Sequence, residues 1–163
     1  MINDLYRLNA AAIVFNQDGK VLVFGRIDFD NQWQFPQGGI NDYESHKDAA
    51  LRELKEETAI HSVKHVAEYP HPLKYDFPPN ILQKFKKMGR TNIGQKQYWH
   101  LFFFNGNEDE INFTSHPEEI EFKAYKWIDI NDAPELVVDF KKEVYQKVCF
   151  YFHPIIQNYI KHI

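Results

Sequence analysis

The sequence predicts an α/β fold: a mixed sheet with helices packed against it. Three observations lead there. Short runs rich in β-formers, bounded by turn residues, recur along the chain; a helical repeat governs 45–58; and a second helical repeat lies near the C-terminal end. No internal repeat, low-complexity tract or domain boundary interrupts the 163 residues, so one domain over 1–163 is expected.

The elements follow in order. Residues 10–15 and 20–24 (KVLVF) flank Asp18-Gly19 and predict a hairpin. WQF at 33–35 is extended and stopped by Pro36, and Gly38-Gly39 lets backbone turn or approach a ligand closely. Ser45, with Asp48 three residues on, predicts a capped helix running to about Thr58. A strand is expected within 61–70. DFPPN at 76–80 breaks structure, and a loop with about one helical turn is expected from there to Gly94. QYWHLFFF at 97–104 is apolar on both faces, as a central strand is, and FKAYKWIDI at 122–130 alternates, as a half-buried strand does. Asn131 is expected to cap a short helix through Leu136. A last helix from about Val138 to Phe152 places Phe140, Val144, Val148 and Phe152 at i+4 steps, with Pro154 expected to end or kink it.

Bulk properties exclude several classes. Hydrophobic residues make up 44% and aromatics 16%, which rules out a disordered polymer. A net charge of −4 does not by itself indicate a nucleic-acid partner, and no DNA partner is expected. One cysteine, Cys149, excludes an internal disulfide and suits a reducing compartment; it reads as a packing residue. Apolar runs are too short to span a bilayer and MINDLYRLN carries no leader pattern, so a cytoplasmic location, no membrane partner and a monomer are expected. The eight histidines form no HExxH and read as structural or surface groups.

Within the first helix, RELKEE crowds Glu53, Glu56 and Glu57 together. At about 100° per residue the three acids fill one arc of about 100°, bordering the stripe of Ala50, Leu51 and Leu54. A solvated face paired to Arg52 and Lys55 is the plain reading. Crowding beside the core instead suggests acids neutralised by a divalent cation, since hard cations take oxygen ligands and bridge carboxylates to phosphate.

The pattern Gly38, Glu44, Arg52-Glu53-Leu54, Glu56-Glu57, Ala59-Ile60 resembles the Nudix box of the Nudix hydrolases. Members usually have glycine where Ala59 stands; alanine suits that turn if φ is negative, so altered turn geometry is expected. YRLNAAAIV, WQFPQGGIN, IGQKQYW, EFKAYKW and VVDFKKEVYQKV extend the resemblance over almost the whole chain, toward the branch of RNA pyrophosphohydrolases and diadenosine polyphosphate hydrolases. The resemblance implies a Nudix α/β/α sandwich with a mixed central sheet. It also implies hydrolysis of phosphoanhydride bonds with Mg²⁺, or with Mn²⁺ or another divalent cation. Carried over residue by residue, it makes Glu53 and Glu57 metal ligands and Glu56 a further ligand or water-positioning group. Glu121 becomes a ligand or the base, and the backbone at Gly38 a ligand. The base stays open among Glu53, Glu56 and Glu121. Glu44 and Arg52 become a structural pair, with Arg52–Glu56 as the other option.

Residues 74–96 hold Lys74, Lys84, Lys86, Lys87, Arg90 and Lys96 against Asp76 alone, with Tyr75, Phe77 and Phe85 interleaved. Such a segment suits the phosphates of a nucleotide polyphosphate or a 5′-triphosphorylated RNA end. Gln95, Lys96, Tyr75, Arg7 and Arg26 are candidate phosphate contacts. Phe140 aligns with a base-stacking aromatic of RNA-bound members, or else packs in the core. Ile27 stands where some RNA-processing members carry a second arginine, and an isoleucine offers no cation–π contact.

Overall fold

The computed structural model describes residues 5–163; part of the stretch inspected for a leader, residues 1–4, lies outside them. Eight strands form one mixed sheet. β1 (Tyr6–Phe15) and β2 (Val21–Arg26) make the expected hairpin, with Gly19 at φ 77° and the Asn16 side chain accepting from the Asp18 and Lys20 N–H groups. β3 (Trp33–Gln34) pairs with β2, and β4 (Gln37–Gly39) pairs with β1. β5 (Val63–Glu68), β6 (Leu73–Asp76) and β7 (Gly94–Phe104) follow, and β8 (Phe122–Ile128) pairs with β2. β1 and β7 run parallel over ten residue pairs at the centre of the sheet, as the two-faced apolar reading of 97–104 requires.

Alternation along β1 and β7 divides the core into two layers. Ala10, Ala12, Val14, Phe102 and Phe104 face α1 (His46–Thr58), which contributes Ala49, Ala50 and Leu54. The small alanines let that helix lie close, and burying a side chain such as Leu54 contributes about 1.5–3 kcal/mol. Ala11, Ile13, Phe15, Trp99 and Leu101 face α3 (Lys142–Lys161), which contributes Val144, Val148, Phe152 and Ile156. This is the expected α/β/α sandwich.

Several local expectations need correction. The segment after DFPPN is a nine-residue helix, α2 (Pro79–Lys87), preceded by β6; Ile81, Leu82 and Phe85 turn its apolar face onto the α3 layer. Pro78 and Pro79 stop the strand and then start the helix, where a missing N–H costs nothing. The turn at Ile130–Glu135 is 3-10 and is capped by Asp129, which accepts from the Asn131 N–H, so Asn131 is not the cap. The last helix begins with a 3-10 turn at Asp139–Lys141 and continues through Pro154 to Lys161. The carbonyl Pro154 leaves unbonded belongs to Phe150, an exposed residue. Ala59 adopts φ 67°, so the turn keeps the left-handed geometry and alanine bears the strain; its N–H still closes on Lys55 O at 2.8 Å.

Candidate active site

α1 is fixed at its start by Ser45, whose Oγ accepts from the Asp48 N–H at 3.1 Å. One arginine then organises its acids. Arg52 donates from Nε to Glu44 Oε2 at 2.8 Å and from Nη2 to Glu44 Oε1 at 3.0 Å. Its Nη2 also donates to Gly39 O at 2.8 Å, while Nη1 reaches Glu53 Oε1 at 2.8 Å and Glu56 Oε2 at 3.2 Å. Both sequence options for Arg52 are therefore realised together. The charge-assisted fork with Glu44 holds its guanidinium proton far more tightly than usual.

The glycine pair lies directly against this group. Any Cβ at Gly38 would strike the Glu53 carboxylate, and one at Gly39 would strike the Arg7 guanidinium. Glu57 is half-buried, like Glu53 and Glu56. Its Oε1 accepts from the Gln37 N–H at 3.1 Å. Burial drives its pKa well above the ordinary carboxylate range, with Glu53 and then Glu121 adding repulsion. Glu53 is raised too, first by burial and against the pull of Arg52. Glu121 immediately precedes β8, and its carbonyl accepts from the Ile27 N–H at 2.9 Å. Glu118 and Glu119 stay in an exposed 3-10 turn.

Cations complete the cleft on the α3 side. Arg26 forks onto Asp28, from Nε to Oδ1 at 2.9 Å and from Nη2 to Oδ2 at 2.8 Å, and donates from Nη1 to Gln34 Oε1 at 3.1 Å. Lys141, only 6% exposed, is the group missed in the sequence. Burial brings its pKa down to about 8, Arg26 pushes the same way, and Glu57 and Glu121 oppose. Its one sequence signal was the lysine pair after Phe140 at the head of the last helix. Tyr75 is buried beside Phe140, with ring centroids 5.6 Å apart, and its hydroxyl pKa is raised by burial. Phe140 is half-buried between Tyr75 and Phe77, so it is both a packing residue and partly open.

Buried amides fix the floor: Gln97 Nε2 donates to Asn9 Oδ1 at 2.9 Å and to Gln37 Oε1 at 3.1 Å. The Tyr145 hydroxyl accepts from the Phe35 N–H at 2.9 Å and pins the strand leading into Gly38. Register puts Arg7, Gln95 and Tyr75 side by side on this face. Lys96 falls on the opposite face, with Leu8 and Lys74, so the sheet does not bring it together with Gln95.

Among the described residues no three acidic, histidine or cysteine side chains already converge on one point. The donor set nonetheless fits a hard divalent cation. It is all carboxylate oxygen, with Glu57 and Glu53 buried against their ionised forms, the burden such an ion relieves.

The fold and this acid helix define a Nudix hydrolase. Residues 5–148 match the family model described as NUDIX domain, and the chain belongs to that family. It is 40% identical over 154 residues to Nudix hydrolase 26, chloroplastic, of Arabidopsis thaliana, covering 93% of this chain and 71% of that one. It is 39% identical over 148 residues to the RNA pyrophosphohydrolase of Acidiphilium cryptum (strain JF-5), covering 88% of each. Among solved structures, the E. coli dihydroneopterin triphosphate pyrophosphohydrolase shares the fold, with a TM-score of 0.70 at 20% identity over 90% of this chain and 96% of that one. No helix among the described residues is long and apolar enough to cross a membrane.

Proposed function

We propose that this chain is a Mg²⁺-dependent hydrolase of nucleoside polyphosphates whose foremost substrate is the 5′-triphosphate end of RNA, from which it releases pyrophosphate. The observation that carries the reading is Glu57. It is a half-buried carboxylate whose ionised form is disfavoured by desolvation and by Glu53 and Glu121, with the Lys141 ammonium acting in the opposite sense. Relatives named RNA pyrophosphohydrolase that match most of both chains favour the RNA end.

Glu53, Glu56, Glu57, Glu121 and the Gly38 backbone would hold the ion, which when bound polarises phosphoryl oxygen and acidifies water. Arg52 orients Glu53 and Glu56 for that task. Arg7, Arg26 and Lys141 offset the charge of the polyphosphate, and Phe140 stacks a base at the cleft edge. Product analysis across triphosphorylated, diphosphorylated and capped RNA tests the substrate. Pyrophosphate released from triphosphorylated RNA is expected. Glu57→Gln, with folding confirmed, is expected to lower turnover at least about 100-fold; unchanged Mg²⁺-dependent turnover would overturn the site.

A second reading, hydrolysis of diadenosine tetra- or pentaphosphate with little RNA activity, is favoured by Ile27. It is 48% exposed beside Arg26, and it offers a second base an apolar surface but no cation. Side-by-side rates on triphosphorylated RNA and diadenosine tetraphosphate separate the two.

A further inference from the structure

α2 bears Lys84, Lys86 and Lys87 on its exposed side, and Arg90 follows it. Among the described residues no carboxylate stands within ion-pair distance of these four cations. Between α2 and the segment after it lies a cleft of about 490 Å³, lined by Leu82, Ile93, Gln83, Asn92, Lys86 and Arg90 among others. Its apolar floor is anchored, because the Phe77 N–H donates to Ile93 O and the Ile93 N–H donates to Leu5 O, both at 2.8 Å. Arg90 is held over the Phe85 ring, 4.2 Å from its centroid.

Edge-to-face aromatic rings join α2, one wall of this cleft, to Phe140. Phe85 meets Phe77 at 4.9 Å between centroids, and Phe77 meets Phe140 at 6.4 Å. α2 thus lies one aromatic ring, Phe77, away from Phe140, the residue proposed to meet the first base.

The chemistry is that of a nucleotide site. Two branched apolar side chains offer a surface for a planar base, two amides offer donors and acceptors at its edge, and two unpaired cations stand at the rim for phosphodiesters. The volume lies within the range of small-ligand pockets, about 300–1,000 Å³. We infer that the cleft between α2 and Ile93 is an accessory subsite for a nucleotide of single-stranded RNA downstream of the hydrolysed end. The base rests on Leu82 and Ile93, and the flanking phosphates on Lys86 and Arg90. This rests on the RNA reading above. A dinucleoside polyphosphate has no downstream phosphodiester to place on Lys86 and Arg90.

The test compares a 5′-triphosphorylated dinucleotide with a triphosphorylated 12-nucleotide RNA, for the wild-type protein, the Lys86→Gln/Arg90→Gln variant and the Lys86→Glu variant. Wild-type kcat/KM is expected to be about 10-fold higher on the longer RNA, from the added phosphate contacts at Lys86 and Arg90. Both variants should lose that advantage while keeping dinucleotide turnover within about 2-fold, and the double variant should flatten the salt slope by about 1.4. Equal wild-type rates on the two lengths, or variants that retain the preference for length, overturn the inference. Fluorescence anisotropy with a 12-nucleotide RNA bearing a 5′-hydroxyl separates the two readings, because that ligand has no bond to cut. Binding that weakens about 10-fold in the variants sustains the subsite even if triphosphorylated ends prove not to be substrates. No binding by the wild type overturns it. The exposed Lys86→Glu variant keeps the test decisive if Arg90→Gln impairs folding.

Discussion

Arg52 grips both oxygens of Glu44, at 2.8 and 3.0 Å, and spends its remaining N–H groups on Gly39 O, Glu53 and Glu56. One planar guanidinium thus ties the glycine pair, the loop before α1 and two helix acids. A lysine cannot copy that fork. Arg52→Lys is expected to cost about 1–3 kcal/mol in stability, the range for hydrogen bonds to charged groups. It should also weaken divalent-cation affinity in a titration followed by calorimetry.

Glu57 predicts an unusual pH dependence. Its folded pKa lies well above its unfolded value, so the folded state holds a proton that the unfolded chain has released. Without divalent cation, stability should therefore fall as pH rises from about 4.5 through the folded pKa. Glu57→Gln should flatten that decline in urea titrations at successive pH values, and Mg²⁺ should rescue the wild type but not the variant.

Lys141 carries the reverse lesson for substrate binding. Burial lowers its pKa to about 8, so the free enzyme loses this positive charge as pH rises past 8. The kcat/KM profile should decline there, and in Lys141→Met that limb should vanish while KM rises at neutral pH. Steady-state kinetics between pH 6 and 10 check both.

His100 is fully buried between two other imidazoles, with Nε2 at 2.7 Å from His46 Nδ1 and Nδ1 at 2.9 Å from His65 Nε2. Burial, then its two neighbours and Lys47, bring its pKa down to about 3. Between about 6.5 and 3 the unfolded chain takes a proton that the folded state refuses, so stability drains away on acidification through that window. His100→Gln should flatten this acid limb in thermal melts.

Ala59 sits at φ 67° where the family prefers glycine. Ala59→Gly is expected to stabilise the protein by about 1 kcal/mol by relieving left-handed strain, partly offset by the freer unfolded chain. Turnover should not change, and differential scanning calorimetry reads the gain.

Most strands and both long helices were legible because apolar spacing records which face is buried: Leu54 and Val148 announce their layers directly. α2 was hidden because Pro78 and Pro79 stand at its start, and prolines break structure as readily as they start it. The path of α3 through Pro154 depends on a carbonyl at Phe150 that solvent can reach, which no periodicity encodes. In the site, the acids of α1 were legible from their crowding. Lys141 was not, because one of the rings beside it, Tyr75, comes from β6, far away in sequence. The amide bridge from Asn9 through Gln97 to Gln37 was equally invisible, since it joins residues far apart in sequence.

The side-by-side alignment of β1 with β7 reaches from Tyr6 to Phe103. During synthesis the first strand can pair early with β2 and β4, but its long parallel partner is complete only when nearly two thirds of the chain has left the ribosome. The acid helix is made after β1 and β4 but before β7, so until then it can pack on only part of its final platform. Closing that one long-range pairing is expected to slow folding, because its loop entropy must be offset before the central contacts form.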